Sequence, residues 1–407
     1  MTLIVKKYGG SSLSSLAKLR SIARIVHESH SYTDHKLVIV LSAMGSSTDN
    51  LVDLSKKAVK EANPRDYDML LSTGEQVSIA MLSMLINNLG GKAVPLTGWQ
   101  AGIKTDSSHT NARIKAINTK RIRAELRKSN IVIIAGFQGQ TSDNNISTLG
   151  RGGSDTTAVA LAASLKADEC QIYTDVDGVY TTDPRICPKA RRLDLLTYEE
   201  MLEMSGLGSK VLQLRSVEFA SKYNVPIRVL HAHKNQALGT LITKEEKKME
   251  GALISGIAFT KDEAEIMIKG VKDQPGVAAK ILGPIGAAKI EIDMIVQNVG
   301  SNGLADFTFT VSRNTLKNAI KVIEKNKKIM GYDSFDTKNN IVKVSLIGVG
   351  MRSHAGIASK MFKCLARNKV NIRMISTSEI KISVVIDQKN LEIAVQALHN
   401  EFKLDKK

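Results

Sequence analysis

The sequence predicts an α/β protein: a mainly parallel sheet sandwiched by helices, followed by two smaller βαββαβ units. Three observations predict it. Apolar strand runs and helical patterns alternate through the N-terminal half. The charged run Lys244–Lys248, without apolar periodicity, then interrupts the pattern. Beyond it, one supersecondary pattern occurs twice.

In the N-terminal half, Leu3–Lys6 reads as a strand, followed by a Gly/Ser turn and a helix from about Leu13 to Ser29. Lys36–Ser42 (KLVIVLS) holds the unbroken apolar run Leu37–Leu41, as a strand buried on both faces should. Asp66–Leu89 is a long helix ended by Gly90–Gly91, with Thr73–Gly74 expected to break it just before Glu75. Strands follow at Ala93–Thr97, Ile131–Phe137 (IVIIAGF), Cys170–Val176 and Pro226–His231, with helices at Ser154–Lys166 and Ser209–Tyr223.

In the C-terminal half, the first copy reads as strand Glu265–Val271, helix Gly276–Ala287, strands Ile290–Asn298 and Ala305–Ser312, helix Thr315–Lys327 and a weak strand at Tyr332–Thr337. The second reads as strand Ile341–Gly348, helix Gly356–Arg367, strands Val370–Ser376 and Lys381–Ile386, and helix Leu391–Phe402. Gly276 aligns with Gly356, and IEIDMI with VNIRMI. The second copy lacks a last strand, and Ala252–Phe259 (ALISGIAF) is the apolar segment free to supply it. The alternative is that 252–259 caps the N-terminal domain. The expected partition is therefore 1–243, a linker at 244–251, a first repeat unit at 265–337, and a second formed by 252–259 plus 341–402.

Composition narrows the function classes. The chain has 407 residues, a net charge of +17, 43% hydrophobic and 4% aromatic residues. Lys and Arg are spread along the whole length and no nucleic-acid-binding pattern occurs, which argues against nucleic acid as a partner. No leader or long uncharged apolar run is evident, so no membrane partner and a cytoplasmic location are expected. Cys170, Cys187 and Cys364 are far apart and read as reduced thiols, neither a disulfide framework nor a metal site.

Three glycine-rich turns carry candidate chemistry. In Lys7-Tyr8-Gly9-Gly10-Ser11-Ser12, glycines admit close backbone approach, a helix start offers free N–H groups, and Lys7 adds a point charge. This suits phosphate but is not a Walker A loop. In Gly150-Arg151-Gly152-Gly153-Ser154-Asp155, Arg151 can fork onto a carboxylate, while Asp155 fits a catalytic role or a plain helix cap equally. The third turn is Ser42-Ala43-Met44-Gly45-Ser46-Ser47-Thr48. The polar stretch Thr174–Arg185 (TDVDGVYTTDPR) offers carboxylates for a ribose or a metal.

KYGGSS, GRGGSDTT, TDVDGVYTTDPR and Gly208-Ser209-Lys210 closely resemble the aspartate kinases of the amino acid kinase superfamily. The repeats, with DQPGVAAKI and NIRMISTSEIKISVVI, are similar to the paired ferredoxin-like ACT domains of those enzymes. The resemblance runs from about residue 3 to 402, with mild departures at Tyr8 and Ser11. It implies an ATP-dependent kinase acting on the aspartate side chain, with Mg²⁺ carried on the ATP phosphates. Lys7, Lys210 and Asp155 would be catalytic. ATP would meet Lys7, Tyr8, Gly9, Gly10, Thr174, Asp175, Tyr180, Asp183, Arg185 and Lys210. Ser42, Thr48, Glu75, Arg151 and Ser154 would hold aspartate, with Arg151 on its α-carboxylate and Glu75 near its α-ammonium.

Lysine and threonine effectors would bind at Asp273, Gly276, Val277, Ala278, Ala279, Ile292, Asp293, Gln297 and Asn298 in the first repeat. In the second they would meet Met351, Ser353, His354, Thr377, Ser378 and Glu379. The resemblance also implies a homo-oligomer through the ACT units. Some relatives form an α₂β₂ assembly with a separately made regulatory half, and Met249 is a suitable internal start: Lys and Glu codons make the message for 244–248 all purine. The same run also reads as a plain solvated linker. A different small-molecule kinase of the superfamily and a non-catalytic amino-acid sensor are the alternatives, and the absence of a second nucleotide domain argues against a fused dehydrogenase.

Overall fold

The computed structural model describes residues 2–33, 35–207, 211–234, 238–244, 254–301, 303–349, 351 and 356–406. They form two compact units: Met1–Tyr180 with Arg192–Met249, and Thr181–Arg191 with Glu250–Lys407. The sequence places residues 1–243 in one body, yet Thr181–Arg191 lies with the second unit. The reason is apolar: Ile186 and Cys187 join the buried cluster of Ile257, Val344, Leu365 and Leu398. Gln396 Nε2 also donates to the Ile186 carbonyl at 2.8 Å.

The first unit runs β1 (Leu3–Tyr8), α1 (Leu16–Tyr32), β2 (Lys36–Leu41), α2 (Ser47–Ala58), α3 (Pro64–Asn88), β3 (Ala93–Leu96), β4 (Ile103–Thr105), β5 (Ile114–Ile117), α4 (Lys120–Arg127), β6 (Ile131–Ala135), β7 (Gln138–Gln140), β8 (Ile146–Thr148), α5 (Gly153–Leu165), β9 (Glu169–Thr174), β10 (Leu195–Thr197), α6 (Tyr198–Gly206), α7 (Leu214–Tyr223), β11 (Ile227–His231) and β12 (Thr240–Thr243). Eight strands form one sheet in the order β10-β12-β11-β9-β1-β2-β6-β3. Its pairings are parallel except β11 with β12. The apolar runs of β2 and β6 are buried because helices cover both faces. On one face Leu19, Ile22 and Val26 of α1 and Ile79, Leu82 and Ile86 of α3 meet Ile4, Leu37, Ile39 and Ile133. The Ala-rich α5, buried almost all round, packs on β1 and β9.

Alternation along β1 separates two adjacent lysines. Lys6 turns toward α1 and donates to Ser29 Oγ at 3.1 Å. Lys7 turns toward α5. Helix α1 starts three residues later than expected: Gly10–Leu13 form a 3₁₀ turn, and Ser15 caps α1 by accepting from Lys18 N–H.

Helix α3 is continuous through Thr73–Gly74, against the expected break. Gly74 has a packing reason instead: a Cβ there would lie 2.9 Å from Ala43 Cβ. Gly74→Ala therefore sets a helix-propensity gain of about 1 kcal/mol against an overpacking cost of about 1–3 kcal/mol. The contact should win, giving a lower melting temperature; a higher one would show that the Ala43 turn yields freely. By length and composition α3 also reaches the size of a membrane span, but half of that window is buried inside the protein.

The second unit runs β13 (Gly256–Lys272), α8 (Val277–Ala287), β14 (Ile292–Val299), β15 (Leu304–Val311), α9 (Arg313–Lys325), α10 (Lys327–Met330), β16 (Ser334–Ile347), α11 (Ile357–Arg367), β17 (Ile372–Thr377), β18 (Lys381–Asp387) and α12 (Leu391–Glu401). One antiparallel sheet has the order β14-β15-β13-β16-β18-β17. β13 and β16 are each longer than expected, because the polar residues at 260–263 and 338–340 bend the chain without ending the strand. Gly256–Thr260 pairs with Lys343–Ile347, and Glu265–Lys269 pairs with Ser334–Lys338. Of the strand sought at 252–259, Gly256–Phe259 opens β13, Ile254 and Ser255 precede it, and 252–253 lie outside the described residues. The repeat shows in the caps: Gly276 and Gly356 precede α8 and α11 at φ +89° and +99°.

Candidate functional site

The site is built where the ends of β1, β2 and α5 meet. Lys7 is 9% exposed, and its Nζ lies 2.6 Å from Asp155 Oδ1. The pair closes because β1 sends Lys7 to the α5 face and Asp155 sits in the first turn of α5. Gly10 packs against the turn after β2: its carbonyl accepts from Gly45 N–H at 3.0 Å, and a Cβ on it would lie 2.8 Å from the Ala43 carbonyl oxygen. All three glycine-rich turns are therefore neighbours.

Two nucleotide expectations change. Gly9 N–H donates to the Tyr173 carbonyl at 3.2 Å and is not a free donor. The Tyr8 ring is fully buried and stacks on Tyr173 at 4.6 Å between centroids, on the α1 face. Alternation places it opposite Lys7, so its side chain is a core element.

Glu75 is 3% exposed and points at the turn after β2, where Oε1 accepts from Ala43 N–H at 3.0 Å. Its Oε2 has no partner among the described residues. Burial pushes its carboxyl up to about 7, with backbone hydrogen bonds opposing. Ser42, whose N–H donates to the Tyr8 carbonyl, and Thr48, near the start of α2, are half-buried. Arg151 is exposed on the turn before α5, and Ser154 is buried in the first turn. In that turn Gly153 N–H is taken by the Gly150 carbonyl and Thr156 N–H by Gly152.

Of the polar stretch, Thr174, Asp175 and Tyr180 belong to the first unit, and Asp183 and Arg185 to the second. Thr174 Oγ1 donates to Asp175 at 3.0 Å, and Tyr180 to Asp177 at 2.8 Å. Arg185 forks onto Asp183 at 2.7 and 3.2 Å, which holds that carboxyl below its usual range. Lys210 lies outside the described residues, as do Met249, Ser353 and His354.

The effector residues of the first repeat line the start of α8 and strand β14. Asp273, Gly276, Ala278, Ala279, Gln297 and Asn298 are exposed, Ile292 is half-buried and Val277 is buried. Asp293 is already engaged by Lys343, which also sits 3.2 Å from Glu263. In the second repeat, Thr377, Ser378 and Glu379 are exposed at the end of β17 and the turn after it, and Met351 is half-buried.

Sequence reading overlooked several residues that hold this arrangement. Gly136 lets α5 approach the end of β6, since a Cβ there would lie 2.7 Å from Ser154 Oγ. A glycine ending the apolar run IVIIA was the available signal. Asp68 and Arg215 carry none, because their partners are distant in sequence.

With this geometry in view, the chain matches known proteins along its whole length. Residues 2–231 match the amino acid kinase family, and residues 265–327 and 344–402 each match an ACT domain. An aspartate kinase of Pseudomonas putida is 57% identical over 406 residues, covering 100% of this chain and 98% of that one. The chain belongs to the amino acid kinase family, as an aspartate kinase with two ACT domains. The crystal structure of an aspartate kinase from Synechocystis is 40% identical, with a TM-score of 0.56, covering 99% of this chain and 70% of that one. E. coli aspartokinase III, solved with aspartate and ADP, shares the fold at a TM-score of 0.82 and 22% identity, covering 98% and 99%. That E. coli protein is also solved with lysine and aspartate.

Proposed function

We propose that the chain transfers the γ-phosphoryl group of ATP to the side-chain carboxylate of aspartate, giving 4-phospho-aspartate and ADP. The observation that carries this is the Lys7–Asp155 pair at the meeting of three glycine-rich turns. The acceptor carboxylate is ionised at neutral pH, its ordinary pKa being about 3.9, so it attacks without a base. One carboxylate oxygen bonds to the γ-phosphorus as the bond to the β,γ-bridging oxygen breaks. What remains for the protein is positioning and neutralisation of charge.

In this reading Lys7 and Lys210 flank the transferring group, Asp155 aims Lys7, and the Gly10 segment offers backbone N–H groups. Thr174, Asp175, Tyr180, Asp183 and Arg185 contribute to nucleotide binding. Arg151 takes the α-carboxylate of aspartate, Glu75 its ammonium, and Ser42, Thr48 and Ser154 line the subsite. The described residues contain no group of three or more His, Cys, Asp or Glu that could cage a metal. Mg²⁺ in this reading rides on the ATP phosphates, where it would neutralise phosphate charge when bound.

Arg151→Ala should raise the aspartate KM by at least tenfold (about 1.4 kcal/mol) with a smaller change in kcat. An ADP-release assay across acidic amino acids reads both this and the substrate. An unchanged aspartate KM would remove Arg151 from the carboxylate role.

Regulation follows from the ACT units. Lysine and threonine, acting together, are the proposed effectors, as the first step of a pathway to both amino acids would require. At the start of α8 the Val277 N–H is taken by the Gln274 carbonyl and the Lys280 N–H by Gly276, so exposed Ala278 and Ala279 supply the N–H groups proposed for carboxylate binding. Calorimetry with each amino acid and with both should show binding; no heat in any case would leave a purely structural dimerisation module. The continuous β13 supports a first ACT unit at 265–337 inserted into a second of 252–259 plus 341–402. A homo-oligomer through these units, an α₂β₂ form with a chain starting at Met249, and a cytoplasmic location complete the reading. A Met249→Leu gene expressed in its native host tests the second chain, which should then vanish.

A further inference from the structure

We infer that Asp68 is a positioning residue for the acceptor subsite, acting through Thr148 on the Gly150–Arg151 turn. This rests on the assignment of Arg151 to the α-carboxylate of aspartate. Asp68 sits on α3, two helical turns before Glu75, and is fully buried. A buried carboxylate is costly unless its lone pairs are satisfied. Here the two oxygens accept from His109 Nδ1 at 2.8 Å, Thr110 N–H at 3.0 and 3.1 Å, Thr148 N–H at 3.0 Å and Thr148 Oγ1 at 2.5 Å.

The donors come from two places only. His109 and Thr110 belong to the loop between β4 and β5. Thr148 is the last residue of β8, two positions before Gly150. The loop is also the floor of the turn: a Cβ on Gly150 would lie 3.1 Å from the Thr110 carbonyl oxygen and Asn111 Oδ1. Arg215 grips the same two segments, donating to the Leu149 carbonyl at 2.9 Å and the Ala112 carbonyl at 2.8 Å. Ala112 N–H in turn donates to the Thr148 carbonyl at 2.9 Å. Residues 148–150 are thus fixed by an anion on α3 and a cation on α7.

Arg151 itself is exposed, so its placement depends on the backbone that presents it. A fully satisfied polar network admits one arrangement where apolar packing would tolerate several. Glu75 and Asp68 share α3, so one rigid helix sets both proposed ends of the aspartate subsite. Misplacement of such a group by about 1 Å costs up to about a hundredfold.

The test is steady-state kinetics on the full chain for Asp68→Asn, Thr148→Val, Arg151→Ala and the Asp68→Asn/Arg151→Ala double variant, with thermal melts alongside. Asp68→Asn should raise the aspartate KM about tenfold while the ATP KM stays within about twofold. Thr148→Val, which deletes one donor, should move the same parameter by less, and it decides the matter if Asp68→Asn does not fold. The double variant should be no worse for aspartate than Arg151→Ala alone, because both act through one group. A lower melting temperature with unchanged KM values in the single variants, or additive losses in the double, would overturn the proposal. If Arg151→Ala leaves the aspartate KM unchanged, the Arg151 assignment fails and takes this inference with it. If Arg151→Ala raises it and Asp68→Asn does not, only the role of Asp68 fails.

Discussion

Lys7→Ala is expected to lower kcat by about 10²–10³, the usual cost of removing one preorganised contact to a developing charge. The aspartate KM should change far less, since the loss falls on the transition state. The argument starts from position. Strand β1 sends Lys7 to the α5 face, where it is 9% exposed and held 2.6 Å from Asp155. Its ammonium also lies 3.4 Å from where a Gly9 Cβ would be, so the turn leaves room for it. A charge already aimed needs no reorganisation during the reaction. Lys7→Arg should not restore activity, since a forked guanidinium is larger than the space beside Gly9. Turnover of Lys7→Ala within a fewfold of the parent would refute the role.

Glu75→Gln should lower kcat/KM for aspartate by about a hundredfold, the scale of about 3 kcal/mol expected when a buried ion pair loses one partner. It should also change the pH profile. Burial raises the Glu75 carboxyl from 4.5 to about 7, and the carboxylate is the form that receives an ammonium. In the parent, kcat/KM for aspartate should therefore rise with pH through about 7, because that parameter reports the free enzyme. The glutamine variant should lose this limb. Stability should move the opposite way. Between 4.5 and 7 the folded chain retains a proton that the unfolded chain has released, so this residue's contribution falls as pH rises through that window. At pH 8 the glutamine variant should equal or exceed the parent in stability, by up to about 3 kcal/mol. A parent-like acid limb in Glu75→Gln would assign the titration to another group.

Much of the fold was legible because its central strands are apolar on both faces. Lys36–Leu41 and Ile131–Ala135 could be nothing else in an alternating pattern, and the Ala-rich α5 followed from its neighbours. The small sheet β5-β4-β7-β8 was not, since strands of three or four residues are too short for a period to register. The break expected at Thr73–Gly74 failed for a tertiary reason: Gly74 answers to Ala43, a contact that sequence spacing does not reveal. The excursion at Thr181–Arg191 was hidden likewise, because Ile186 and Cys187 have no local period and find their core in a distant part of the chain.

At the candidate site, lysine, glycine and aspartate types at turn positions singled out Lys7, Gly10 and Asp155, which the fold brings to neighbouring turns. The side from which each acts was clear for Lys7 only once β1 had a defined face, and the same alternation moved the Tyr8 ring into the core. Asp68 and Arg215 were invisible, since their meaning lies in partners that are 41 to 103 positions away.

The most direct test of phosphoryl transfer to the aspartate side chain is trapping with hydroxylamine. The chain, ATP, Mg²⁺ and aspartate are incubated with hydroxylamine, and the products are separated by mass and position. The account predicts the side-chain hydroxamate of aspartate, formed one for one with ADP and absent when glutamate replaces aspartate. ADP without hydroxamate, the α-hydroxamate, or an equal yield from glutamate would contradict it.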